Sequence, residues 1–220
     1  MGRPNDVATA PTSRMTTGNF EPPVFDAALS LEAYLHDCPA EATTLGTFFQ
    51  YVYASLGVRS RADMEAACEG LSTRRWVAFK HYPLSDFIRL AHNTARIGHS
   101  GVSRGEGLRR LGRMAYPSFA STMAGRVVIF AFGDKLEDVL NAAPKSYRLA
   151  LPRARVAVQR LGESHYNIEM RDAFCFPETY HCGVIEGCVQ AYGFEPKIKL
   201  RRHGRGTDVD FEVRWQPRAR

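Results

Sequence analysis

The chain has 220 residues, 45% of them hydrophobic and 24% charged, proportions of a folding globular protein rather than a disordered or collagen-like one. Its 29 basic and 23 acidic residues are interleaved and leave a net charge of +6, which favours solubility over a dedicated nucleic-acid surface. No apolar run approaches the roughly 20 residues of a membrane helix, the start lacks the apolar segment of a signal peptide, and the five cysteines show no paired spacing. A soluble, cytoplasmic protein with reduced thiols and no membrane span is expected.

Residues 1–24 hold few apolar side chains and end in Pro22-Pro23, which marks a flexible leader. A single α+β domain is expected over 25–216, with a helical part at 25–143, a sheet part at 144–216 and a tail at 217–220. In the helical part, "SLEAYLHD" opens at the N-cap candidate Ser30, and "TTLGTFFQYVYASLG" runs from a threonine cap to Gly57. Asp63 follows Ser60 by three residues and Glu106 follows Ser103 by three, the spacing at which side chains cap a helix start reciprocally. Between them "YPLSDFIRLAHNTARIG" carries Phe87, Ile88, Ala91 and Ala95 at helical spacing. Pro117 should interrupt or restart the helix after it. "RVVIFAFG" from Arg126 reads equally as buried strand or buried helix, and "DKLEDVLNAAP" as a short helix capped by Asp134.

After Pro144 the period changes to two. "RARVAVQRL" and "SHYNIEMR" alternate across a short connection at Gly162, with Tyr166, Ile168 and Met170 inward. "PETYHCGVIEGCVQAYG" is a helix starting near Pro177 and ending at Gly193. "PKIKLRR" and "TDVDFEVRW" form a second hairpin, with Ile198, Leu200, Val209, Phe211, Val213 and Trp215 inward. Their other faces set Lys197, Lys199 and Arg201 against Asp208, Asp210 and Glu212. The order strand, strand, helix, strand, strand predicts an antiparallel sheet carrying one helix.

The stretch "YHCGVIEGCVQAYGF" concentrates potential metal ligands and glycines. Cys182 and Cys188 are six apart, so their thiols point about 120° apart around a helix, and no CxxC or HxxxH spacing occurs. A zinc set of Cys175, His181 and Cys182 is the alternative to buried thiols that simply pack. Gly183 and Gly187, four apart, form a smooth strip suited to close approach of a neighbouring element, and helix packing is the preferred reading. Phe119, Phe130 and Phe132 are candidates to line a pocket.

The succession from Tyr180 to Trp215, with glycines at Gly183, Gly187 and Gly193 before two strands, resembles TRAPP-type subunits and 4-vinyl-reductase ligand-sensing domains. Over residues 27–215, "LGTFFQYVYASLG", "HYPLSDFIRLAHNTA", "GEGLRRLGRMAYPSFASTMAGR" and "DFEVRW" resemble a family of uncharacterised myxobacterial proteins assigned to that fold group. The resemblance implies a noncatalytic module that senses a hydrophobic small molecule or pairs with a protein partner, such as a second copy in a homodimer. In one branch of the group it also implies haem. That branch carries a Tyr-x-Ser-x-Arg motif that "SYRLALPR" does not reproduce, and His92, His99 and His181 read as ordinary helix histidines. The sensors that bind metal use cysteines after the glycine helix, and none follows Cys188. No cofactor is therefore expected, haem and zinc being the alternatives.

No nucleophile elbow, zincin, phosphate-loop or dinucleotide fingerprint is present, so catalysis would need scattered residues. A nucleic-acid-binding alternative would rest on three basic stretches: Arg74-Arg75-Trp76; Arg109, Arg110 and Arg113; and "RRHGR" from Arg201 together with Arg214, Arg218 and Arg220.

Overall fold

The computed structural model describes residues 18–122, 125–126, 133, 135–204 and 206–218. Its first half comprises α1 (Leu31–Asp37), β1 (Thr43–Leu45), α2 (Gly46–Ala54), α3 (Arg61–Ala67), β2 (His81–Pro83), α4 (Leu84–Gly98), α5 (Arg104–Ser121) and α6 (Leu136–Ala150). The serine caps form on one arm: Ser30, Ser60 and Ser103 accept from the backbone N–H groups of Ala33, Asp63 and Glu106, while the Asp63 carboxylate accepts from the Ser60 hydroxyl and that of Glu106 from Arg109 and Arg110 instead of returning a bond to the cap backbone. Each serine satisfies a donor that the first helical turn would otherwise leave unpaired.

Three local readings are corrected. Thr43 caps no helix: Thr43–Leu45 pairs antiparallel with His81–Pro83, and α2 begins at Gly46. Two β-branched threonines in succession favour the extended form, and a strand 38 residues away takes up their backbone groups. Pro117 neither stops nor restarts α5, which continues to Ser121. It deprives the Arg113 carbonyl of its helical donor, and another helix packs closely against that carbonyl, as described below. The third correction concerns Pro144, where α6 does not end. Leu136, Leu140 and Tyr147 lie on one face of that helix and pack into the same core on both sides of the proline. Asp134 and most of the ambiguous run before it lie outside the described residues.

The second half is the sheet unit. β3 (Arg155–Gly162), β4 (His165–Arg171), β5 (Phe194–His203) and β6 (Asp208–Pro217) form one antiparallel sheet in the order β3-β4-β6-β5. A π-helical turn at Pro177–His181 leads into α7 (Cys182–Ala191), which packs on the sheet. Tyr166, Ile168, Met170, Leu200, Val209, Phe211, Val213 and Trp215 are buried beneath it. The architecture is α+β, with a helical core and a sheet core that meet at α5 and α7.

The charge complementarity between the last two strands is realised in register: Lys199 faces Glu212 and Arg201 faces Asp210. Asp210, however, is buried rather than solvated. It lies 2.7 Å from both Arg171 and Arg201 and 2.9 Å from His203. The chain is also placed before Phe25: Glu21 bridges Leu200 at the edge of β5, and the Phe20 ring lies 4.5 Å from the Arg201 guanidinium.

Candidate functional site

The glycine helix meets α5 with no side chain between the backbones. A β-carbon on Gly183 would overlap the Arg109 carbonyl, one on Gly187 the Arg113 carbonyl, and one on Gly112 the Tyr180 carbonyl. The Arg113 carbonyl is the one freed by Pro117, so the helix that lost a donor is the helix that α7 covers. Beside this contact Glu186 is buried and receives three hydrogen bonds from Arg109 at 2.7–3.0 Å and two from Arg113 at 2.9 and 3.3 Å. Glu106 holds Arg109 and Arg110 from below. Burial alone would lower the Arg109 pKa, but the hydrogen bonds it donates to these carboxylates outweigh that effect and raise it.

Cys175, His181 and Cys182 are all buried, yet the described residues contain no group of three His, Cys, Asp or Glu arranged to hold a metal. Burial pushes the thiols of Cys175 and Cys182 well above their ordinary range and Cys188 up to about 12, the opposite of what a thiolate ligand needs. His181 is 3% exposed; burial holds its pKa down to about 3, so the ring is neutral. Its Nδ1 lies 3.0 Å from the Tyr147 hydroxyl, and its Nε2 is buried with no hydrogen-bond partner.

Between α2 and α5 lies a cleft of about 230 Å³ lined by Thr47, Phe48, Gln50, Tyr51, Ala54, Ala115, Ser118, Phe119 and Thr122. Phe119 is the one sequence-chosen pocket residue it contains; Phe130 and Phe132 lie outside the described residues. Its wall is largely apolar, and its floor is Tyr51. The Tyr51 hydroxyl bonds the Leu111 carbonyl and pairs with the Tyr180 hydroxyl. Tyr180 stacks edge-on with Phe87 and with His181, so an aromatic file runs from the cleft to His181 and Tyr147. Burial, above all, raises the pKa of both Tyr51 and Tyr180, which stay protonated.

The backbone beneath this file is unusual. Phe176 adopts the left-handed region at φ 48°, and its carbonyl accepts from the N–H groups of Thr179, Tyr180 and His181. Such strained π-turns persist where the surroundings over-determine them. Tyr51, Tyr147, Tyr180 and Gly112 were not singled out from the sequence. Tyr180 and Gly112 could have been, since an aromatic ahead of the glycine strip and a glycine in the facing helix are what a close crossing requires.

Among the described residues, two of the three basic stretches are consumed by carboxylates. Arg109 and Arg113 meet Glu186, Arg201 meets Asp210, Arg202 meets Glu178, Arg214 meets Glu212 and Arg218 meets Glu195. Trp76 of the third is stacked on Phe49 with ring centroids 5.4 Å apart, so one face of its indole is already taken.

A search of the curated protein sequences found no match. Solved structures share the fold. The Fe(II) unliganded H-NOX protein from K. algicida has a TM-score of 0.60 at 13% identity, covering 79% of this chain and 97% of its own. An H-NOX protein from S. oneidensis in the Fe(II)NO ligation state has a TM-score of 0.61 at 14% identity, covering 78% and 99%. A structure from a study of heme distortion in the H-NOX family has 0.60 at 13%, covering 80% and 97%. The fold likeness is thus to H-NOX domains rather than to TRAPP subunits or 4-vinyl reductases. The glycine helix followed by two strands does not discriminate among these.

The expectation of no cofactor is overturned as the leading reading, because the neighbours in fold are iron and heme proteins and haem becomes the group to test. The described residues do not fit it. Haem iron needs an axial histidine, thiolate, methionine or tyrosinate. The cleft is lined by no His, Cys or Met, and its one tyrosine is engaged by Tyr180 and Leu111. His92 and His99 do not line it, and His181 is enclosed beyond Tyr180. The family model described as "Protein of unknown function (DUF2378)" matches residues 40–216, and the chain belongs to that family.

Proposed function

We propose that this chain is a noncatalytic small-molecule-sensing module that takes a small hydrophobic ligand into the cleft between α2 and α5. The observation that carries the reading is the joining of an apolar, open cleft to a buried hydroxyl pair, Tyr51 and Tyr180, at the head of a strained π-turn. A ligand that displaces Tyr51 perturbs the Tyr180 end of that turn, and the turn continues into the helix joining the two cores. The volume of about 230 Å³ lies just below the roughly 300–1,000 Å³ of drug-sized sites, which selects small ligands. The likeness to H-NOX structures supports the scaffold of this reading and leaves the ligand to the lining.

A cytoplasmic setting belongs to the same proposal, since all five cysteines are free. So does a homodimer or another protein partner as the recipient of the signal. Among the described residues no helix is long and apolar enough to cross a membrane.

The test compares native with denaturing mass spectrometry of the purified protein, with an absorption spectrum for haem. It is repeated on Ser118→Phe, which fills the cleft from a partly exposed position. The expected result is an added small-molecule mass, or binding of the apolar dye anilinonaphthalene sulfonate, that the variant loses at least tenfold. Equal binding by both proteins, or none by either, refutes the cleft as the site.

A further inference from the structure

The basic stretch Arg74-Arg75-Trp76 lies within residues 72–80, "STRRWVAFK", whose arrangement gives it a different use. Val77 is 65% exposed and Phe79 67% exposed, two residues apart on the turn that precedes β2. Around them Arg74, Arg75 and Lys80 are exposed, and no ion pair joins any of the three to a carboxylate among the described residues. No acidic residue occurs from Gly70 to Ser85.

The exposure does not come from a loose loop. The Trp76 carbonyl accepts from the Gln50 side chain at 2.7 Å, that of Ala78 from Thr47 N–H at 2.9 Å, and that of Lys80 from Gly46 N–H at 2.8 Å. The Val77 carbonyl accepts from Lys80 N–H at 3.1 Å, and the Val77 N–H donates to the Tyr82 hydroxyl at 2.8 Å. Gly46 is required for this docking, since a β-carbon there would overlap the Val77 carbonyl. Trp76 is pinned inward against Phe49 and Tyr53. These bonds hold the backbone of the turn against α2 and β2, and the two apolar side chains are left presented to water.

We propose that this turn is a docking tip for an anionic lipid surface, with Phe79 and Val77 entering the headgroup boundary while Arg74, Arg75 and Lys80 contact the acidic headgroups. Charge complementarity selects the occupant: the tip is apolar at its point and wholly cationic at its rim, which is the pattern of a peripheral anchor. A nucleic acid is served less well, because the one indole in the stretch is already stacked. Three cations and two small apolar wedges give weak, reversible attachment, suited to a soluble module that visits a membrane.

The experiment is co-sedimentation of the full chain with phosphatidylcholine vesicles, with and without phosphatidylserine, over a range of salt. Binding is expected only with phosphatidylserine and should fall as salt rises. Arg74→Ser and Arg75→Ser should each weaken it about fivefold. Phe79→Ser should weaken it on the order of tenfold while leaving the melting temperature unchanged, since the ring is not part of either core. In a Phe79→Trp protein, fluorescence should shift to the blue on binding. Absence of binding to phosphatidylserine vesicles at low salt overturns the proposal. So does binding that Phe79→Ser leaves intact, which would mean simple charge attraction, and so does tighter capture of a single-stranded oligonucleotide than of the vesicles.

Discussion

Adding one carbon to the glycine helix tests the contact that joins the two cores. In an open helix, glycine to alanine stabilises by about 1 kcal/mol, because alanine has less backbone freedom to lose. At Gly187 the new β-carbon would lie 2.7 Å from the Arg113 carbonyl carbon and 3.0 Å from its Cα; at Gly183 it would lie 2.9 Å from the Arg109 carbonyl carbon and the Arg113 nitrogen. These are backbone atoms of a second helix, so no rotamer change relieves the overlap and the helices must move apart. Overpacking of this kind costs about 1–3 kcal/mol, and separation also stretches the Arg109–Glu186 bonds beside it. The overlap outweighs the propensity gain, and Gly183→Ala and Gly187→Ala should each destabilise by about 1–2 kcal/mol net, or about 2–8 °C in Tm for a chain of this size. Gly98→Ala is the matched control: it lies at the end of α4 with nothing within 4 Å of the new atom, so it should be neutral or gain up to about 1 kcal/mol. Urea unfolding midpoints at constant m value decide the question. If the two interface variants are as stable as the wild type, or gain as Gly98→Ala does, the close-contact account is wrong.

His181 should contribute a pH dependence. Its folded pKa is depressed to about 3 from an ordinary value near 6.5, so the unfolded chain binds the proton more readily; the associated stability is complete above pH ~6.5 and falls as pH drops toward about 3. Between pH 6.5 and 5 the loss should be about 1–2 kcal/mol, and His181→Gln should flatten that part of the profile; an unchanged slope would show that the ring is not buried neutral. Glu186→Gln should cost about 3 kcal/mol, the low end for a broken buried pair, because Arg109 and Arg113 keep 24% and 32% of their side chains in water. Glu65→Gln, which breaks a pair whose arginine is 92% exposed, should leave the unfolding midpoint where it is.

The local signals that proved legible were those whose physics is complete within a few residues. Ser60 with Asp63 and Ser103 with Glu106 state a cap in four residues, and the alternation in β4 and β6 states which side chains face inward. Thr43 and Pro117 were misread because a distant partner decides their state: His81–Pro83 pulls the threonines into a strand, and α7 covers the carbonyl that Pro117 exposes. The same limit applies to the cleft. Tyr51 and Tyr180 are 129 residues apart, and nothing in either neighbourhood announces that their hydroxyls meet. Glu186 could be read as a metal ligand type, but its arginine partners lie in a helix more than 70 residues earlier, in a stretch that looked like a basic surface.

Identity of 13% over nearly the whole of an H-NOX domain preserves a backbone and little else. What such a likeness carries is the scaffold, which in this chain is a helix without side chains where two backbones cross, an antiparallel sheet behind it, and helices stacked in front. A cofactor makes a different demand, for particular side chains aimed into a space of the right size, and those are free to change while the scaffold stays. Here Tyr51, Phe87, Tyr147, Tyr180 and His181 pack on one another, and the cleft lies beyond them between α2 and the end of α5. The ring file is a packed connection from the cleft to the π-turn. On the proposed reading, ligand chemistry in this chain is set by Phe48, Tyr51, Ser118 and Phe119, which line the cleft.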